Sequence, residues 1–235
     1  MDPLGERLVT VFNEFGVSAK AKIKIRYAGA EVEADVLAIV ENHLFAFECK
    51  NSLHPCNTYE LRQSYDYILK AAAQLDNFRR LFADNKFRRF VSNVAGFDVT
   101  RCVGFTTCIV TGNRMFSGHR EAGHAVRNIH ELENVIAGGG LVLAPFPEDP
   151  NEPKGAEIRV RVPSWAGEKI AASDLVEYIE RDSWHVPAFK AMDFYDEVVA
   201  FGKRTLRMKS FMLDVGLYRD LMRQHPQAQE TKNFK

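Results

Sequence analysis

Residues 31–51 read EVEADVLAIVENHLFAFECKN, and this stretch decides the fold. It divides at Glu41-Asn42, a polar pair suited to a tight turn. To the left, Glu31 to Val40 reads as a strand, and Val36 to Val40 is apolar on both faces, as in a sheet covered on each side. To the right, His43 to Lys50 reads as the returning strand. Side chains alternate along it, so Phe45, Phe47 and Cys49 form one apolar face. Leu44, Ala46, Glu48 and Lys50 form the other, which changes from apolar to charged at the strand's end. A turn at 41–42 sets Asp35 opposite Glu48, and their side chains can converge. An acid beside a lysine at the end of an apolar strand is costly unless something satisfies or uses them.

The flanks extend this hairpin. Lys20, Lys22, Lys24 and Arg26 alternate with Ala21, Ile23, Ile25 and Tyr27, the period of a half-buried strand. Ala28-Gly29-Ala30 turns it into the next, completing a three-stranded meander. Before it, Leu4, Leu8, Val11, Phe12 and Phe15 gather on one face of a helix over 3–15, stopped by Gly16. After it, residues 58–82 lack Gly and Pro and keep an apolar stripe through Leu61, Tyr65, Ile68, Ala72, Leu75, Phe78 and Phe82, with Thr58 as the expected N-cap. Residues 98–111 read as another strand and 128–137 as a short helix ended by three glycines. Pro145, Pro147, Pro150 and Pro153 then mark a stiff connector. Beyond it we expect a strand over 158–162 and helices over 173–180, 188–201 and 211–224, the middle one with Phe194, Val198 and Phe201 on one face. The expected organisation is a catalytic domain over 1–144, a connector over 145–156 and a mainly helical accessory extension over 157–235.

At 235 residues the chain fits one domain with an appendage, and a hydrophobic fraction of 46% excludes a mainly disordered protein. Lys and Arg number 31, as do Asp and Glu, so no chain-wide positive field holds nucleic acid and only local patches can. No apolar run is long enough to span a bilayer, and the first residues lack the basic-then-apolar order of a secretory signal. Cys49, Cys56, Cys102 and Cys108 form no CxxC pair, which suits reduced thiols in a cytoplasmic protein without membrane attachment.

Two converging carboxylates make an oxygen-rich site for a hard cation such as Mg²⁺, which keeps several waters. A neighbouring lysine can orient a water or offset charge on a phosphate. That equipment suits phosphodiester hydrolysis. Alone, an acid-x-Lys triplet is a common surface ion pair; its place after an apolar hairpin and before a long helix argues for a site.

The order of a helix, a meander with Asp35 on its second strand, Glu48-Cys49-Lys50 ending its third, and then a helix resembles the PD-(D/E)xK nuclease superfamily, closest to its Mrr-like, NERD-like and Holliday-junction-resolvase-like members. Ala34 stands where the motif's name has Pro, a common substitution there. The likeness runs over residues 3–140 and implies an α/β, restriction-endonuclease-like core: a mixed central sheet flanked by helices, followed here by the helical extension. It implies an Mg²⁺-dependent endonuclease, Mn²⁺ substituting, that cuts double-stranded DNA in restriction, defence or repair, often as a homodimer. Asp35, Glu48 and the backbone carbonyl of Cys49 would hold the metal, and Lys50 would activate water. Glu6, which follows Gly5 in the first helix, would complete the acidic cluster in preference to Glu14. Gln74 would orient its neighbours in preference to Gln63. A catalytically silent nucleic-acid or protein binding module and an RNA-processing nuclease are the alternatives.

Two basic runs stand out. Lys20, Lys22, Lys24 and Arg26 form either a solvated strand face or a phosphate contact. Arg79, Arg80, Lys86, Arg88 and Arg89 form either a solvated helix end or a second grip on nucleic acid. His119, His124 and His130 lack metal-ligand spacing and read as surface or loop residues.

Overall fold

A computed structural model describes residues 3–52, 54–143, 158–181, 190–201, 204–224 and 229–232. The chain divides into two compact units, one of residues 1–139 with 167–181 and one of 140–166 with 182–235. The first is an α/β unit. Helix α1 (Pro3–Glu14) leads into strands β1 (Ser18–Tyr27), β2 (Ala30–Val40) and β3 (His43–Lys50). Helices α2 (Thr58–Phe82) and α3 (Asn85–Ala95) follow, then β4 (Gly104–Thr111), β5 (Arg120–Glu121), β6 (His124–Asn128) and α4 (Ile129–Ile136). Helix α5 (Ala172–Arg181) also groups here. The six strands lie in the order β1-β2-β3-β4-β6-β5. The meander is antiparallel, β3, β4 and β6 run parallel, and β5 returns antiparallel, so the sheet is mixed.

Helices cover both faces of the central strands, and this accounts for the doubly apolar run from Val36 to Val40. On one face Phe12 of α1 packs on Phe47, ring centroids 5.6 Å apart. On the other, Leu37, Leu44 and Ala46 meet Ile68, Ala71, Ala72, Leu75 and Phe78 of α2 in one buried cluster. Arg127 of β6 is fully buried and donates to the carbonyls of Tyr178 and Ile179, tying the end of α5 to the sheet.

In the first unit α1, the three-stranded meander, α2 and α4 match the sequence reading, β4 is shorter than expected, and α3, β5 and β6 were not expected. Asn57, not Thr58, caps α2: its Oδ1 accepts from Glu60 N at 2.9 Å while Glu60 Oε2 accepts from Cys56 N at 2.7 Å. This reciprocal pair satisfies two amides where a threonine one residue later would satisfy one. The strand expected over 98–111 begins only at Gly104, because Asp98 turns the chain by accepting from Thr100 N at 2.8 Å. The second basic run proves to be mostly helix α3, capped by Asp84, stopped by Gly96 at φ 81°, with Phe87, Val91 and Ala95 buried.

In the second unit, β7 (Gly140–Leu143), β8 (Ile158–Pro163) and β11 (Gln229–Lys232) form a sheet in the order β11-β8-β7. The expected connector, 145–156, lies outside the described residues. The expected mainly helical extension is corrected here. Residues 192–201, expected within a helix over 188–201, instead form β9 (Met192–Phe201), which pairs with β10 (Arg204–Leu213) in an antiparallel hairpin that sets Phe194 opposite Phe211. The helix expected over 211–224 is present as α6 (Val215–Arg223); it starts after Leu213 ends β10, and Asp214 caps it by accepting from Leu217 N at 2.8 Å. The spacing of Phe194, Val198 and Phe201 suited a helix, but Val198-Val199 favours strand, and Leu206 and Met208 alternate with Arg207 and Lys209. No helix among the described residues is long and apolar enough to cross a membrane.

Candidate active site

The β2–β3 register places Val36 opposite Phe47, which brings Asp35 beside Glu48 as the turn at 41–42 requires. Asp35 Oδ2 accepts from Cys49 N at 2.8 Å, fixing its carboxylate across the two strands. Glu48 has 0% of its surface exposed. Its Oε2 accepts from Lys50 Nζ at 2.9 Å, and its Oε1 is buried without a hydrogen-bond partner among the described residues. Lys50 Nζ also lies 3.8 Å from Asp35 Oδ2. Burial pushes the Glu48 carboxyl up to about 8; the Lys50 ammonium opposes this and the Asp35 carboxylate adds to it. Burial alone would lower the Lys50 pKa, but the Glu48 and Asp35 carboxylates outweigh it, so the lysine holds its proton.

Across β1, Ala21 pairs with Val36 and Ile23 with Ala34, so Lys22 stands opposite Asp35. Its φ of 59° is left-handed, an uncommon conformation for a residue with a long side chain. A regular strand would send Ala34 and Leu37 to opposite faces, yet both join the same core cluster. The change of phase falls at Lys22 and Asp35, where the meander bends beside the carboxylates.

The structure brings Asp35, Glu48, Lys50 and Gln74 together. Lys50 Nζ donates to Gln74 Oε1 at 3.4 Å, and Gln74 Nε2 donates to Glu33 Oε1 at 2.5 Å. Gln63, the rival, bonds Tyr59 in its own helix instead. Glu6 follows Gly5, whose Cα would carry a Cβ 3.7 Å from the Asp35 carbonyl oxygen, so α1 enters beside the site. Glu6 itself bonds Lys22 at 2.6 Å rather than the other carboxylates. Glu33 escaped the sequence reading; its signal was its place two residues before Asp35 on the same strand. Among the described residues no group of three His, Cys, Asp or Glu side chains forms a metal cluster. Asp35 and Glu48 would therefore need backbone carbonyl and water to complete a shell.

The basic residues are dispersed. Lys20 and Arg26 are exposed on β1, whereas Lys24 sits between Glu31 at 3.5 Å and Glu33 at 3.2 Å. Arg79 donates to Thr107 Oγ1 at 2.8 Å, and Arg88 donates to the carbonyls of Phe82 and Cys102 while stacking on the Phe82 ring. Arg80, Lys86 and Arg89 stay exposed. His124 is buried, contrary to the surface reading, because its ring fills a polar gap: Nε2 meets Asp76 at 3.0 Å, and Nδ1 lies 2.8 Å from Arg79 and 2.6 Å from Thr107. Burial, aided by the Arg79 charge, lowers its pKa and keeps the ring neutral.

No family model matches this chain. No curated protein matches it either. Among solved structures it is similar to a crystal structure described as a protein of unknown function, AF1548, at 17% identity and a TM-score of 0.28. That likeness covers 53% of this chain and 55% of the other, so the chain spans about half the length of that neighbour.

Proposed function

We propose that this chain is a divalent-metal-dependent nuclease, built on a restriction-endonuclease-like core and acting on DNA. One observation carries the reading: Glu48 is wholly buried beside Asp35, with one oxygen on Lys50 and the other without a hydrogen-bond partner among the described residues. A buried carboxyl oxygen without a partner is expensive, and a cation satisfies it. Asp35 and Glu48, with the Cys49 carbonyl, offer the all-oxygen donors that Mg²⁺ or Mn²⁺ prefers. When bound, the cation would supply Lewis acidity at a phosphate oxygen and lower the pKa of water. The chain's own part is positional: Asp35 is fixed by Cys49 N, and Lys50 is held charged where it can face a phosphate or orient the attacking water. Glu6 stands beside the site on Lys22, from which it can turn toward a bound cation. Lys20, Arg26, Arg80, Lys86 and Arg89 would contact the nucleic-acid backbone, since Arg79 and Arg88 have internal partners.

The test is cleavage of supercoiled plasmid, linear DNA and RNA by the full chain in EDTA, Mg²⁺ or Mn²⁺. Metal-dependent nicking of plasmid that Glu48→Ala abolishes is the expected result. Cleavage of RNA alone would move the substrate to RNA. Binding without cleavage in any metal would replace the enzyme by a binding module.

A further inference from the structure

The contacts that end on Lys50 begin two strands away. Lys24 on β1 is paired across the ladder with Glu33 on β2, and its Nζ lies 3.2 Å from Glu33 Oε2. The other oxygen of Glu33 accepts from Gln74 Nε2 at 2.5 Å. Gln74 then turns its Oε1 to Lys50 Nζ at 3.4 Å, and Lys50 donates to Glu48 at 2.9 Å. Each carboxylate oxygen of Glu33 thus has a different cationic or amide donor, which fixes its rotation. The amide between has only one arrangement that avoids a clash of like groups. A lysine ammonium only donates and an ionised carboxylate only accepts, so the amide must give its oxygen to Lys50 and its NH₂ to Glu33. The bond to Glu33 is the shorter of the two and is charge-assisted, so it sets the orientation that the longer contact uses.

We propose that Glu33 is a positioning residue: it locks the Gln74 amide with its carbonyl toward Lys50 and thereby holds the ammonium against Glu48. Its consequence for cleavage rests on the nuclease reading; the positional claim does not. The competing role is a plain surface ion pair with Lys24. The two separate on substitution. Glu33→Gln and Glu33→Leu both remove the Glu33 charge and leave Lys24 with Glu31 alone, but only Glu33→Gln keeps an oxygen for Gln74 Nε2.

Two measurements on the full chain decide it. The first is the side-chain carboxamide signal of Gln74 in ¹⁵N–¹H NMR, assigned by its loss in Gln74→Leu. It should be displaced from the free-amide position in the wild type, stay displaced in Glu33→Gln, and return to the free position in Glu33→Leu. The second is cleavage kinetics in Mg²⁺. Glu33→Leu should lower kcat about tenfold or more with KM for DNA nearly unchanged, as loss of a supporting partner does, whereas Glu33→Gln should recover most of the loss. An amide signal unmoved in Glu33→Leu, or equal kcat losses in the two variants, would overturn the proposal. If the wild type cuts nothing while the amide signal still responds, the nuclease reading falls and the positional claim stands.

Discussion

Two hairpins of this chain, β2–β3 and β9–β10, differ in what surrounds them. β2–β3 lies inside a six-stranded sheet, with Phe45, Phe47, Leu44 and Ala46 fully buried between helices. β9–β10 forms a two-stranded sheet, with Phe194 64% and Phe211 58% exposed. A covered hairpin must place its apolar residues by the strict period of the strand, because a one-residue slip would turn them out of the core. An open hairpin has no such constraint, and its pattern can resemble another element. The same enclosure that makes β2–β3 legible also gives it chemistry. Burial is the main reason the Glu48 carboxyl is pushed up to about 8.

The largest effect should fall on the covered hairpin's charged end. On the proposed nuclease reading Asp35, Glu48 and Lys50 act on one shared step, so Asp35→Ala, Glu48→Ala and Lys50→Ala should each reduce metal-dependent cleavage by about 10³-fold or more. The circular dichroism spectrum should stay that of the wild type. Phe211→Ser on the open hairpin should leave cleavage within a few-fold. Equal losses at the two places would break the contrast.

Next comes packing. Phe47→Ala should cost about 3–5 kcal/mol in urea unfolding, since Phe47 is fully buried against Phe12 and no solvent can fill the gap cheaply. Phe211→Ala, already more than half exposed, should cost about 1 kcal/mol or less.

The site and the fold were therefore legible to different depths. Asp35, Glu48 and Lys50 could be placed from alternation and one turn, because strand geometry leaves a side chain only two directions. Gln74 needed the resemblance, since helical spacing alone does not say which of two glutamines overlies the strand end. Glu33 left only its spacing from Asp35 as a signal, and the bend at Lys22 was not legible. A single left-handed residue inside an alternating strand leaves no mark in composition. His124 was misread because its burial depends on Asp76, Arg79 and Thr107, all distant in sequence.

A smaller effect concerns pH. Folded, Glu48 keeps its proton up to about pH 8, whereas unfolded it releases it near its ordinary value of 4.5. Between these two the unfolded chain is increasingly favoured, so the metal-free fold should lose stability as pH rises from 4.5 to 8 and level off above. Glu48→Gln should remove that loss and raise the metal-free Tm by several °C at pH 8. A cation competes with the same proton, so Mg²⁺ should stabilise the wild type more at pH 8.5 than at pH 6.5. Thermal unfolding with EDTA or Mg²⁺ at the two pH values measures all of them.

The smallest expected effect separates the two regions by charge. The chain has no net charge, so any phosphate contact must come from local residues, and each one contributes about 0.9 to the slope of log affinity against log salt. Lys24, Arg79 and Arg88 are engaged with protein groups, and turning them to phosphate would break those bonds. Arg80, Lys86 and Arg89 are exposed near the covered sheet's helices. Reversing these three to Glu should weaken binding to all DNA sequences alike and flatten the salt slope by about 2–3. Metal binding should be retained, because none of the three touches the carboxylates. Arg207→Glu on the open hairpin should change the slope by less than one contact's worth, since β9 opposite it carries Asp193, Asp196 and Glu197. Fluorescence anisotropy across a salt series in Ca²⁺ reads both slopes. If Arg207→Glu flattens the slope and the triple reversal does not, nucleic acid lies along the open hairpin, and the covered sheet supplies the chemistry without the grip.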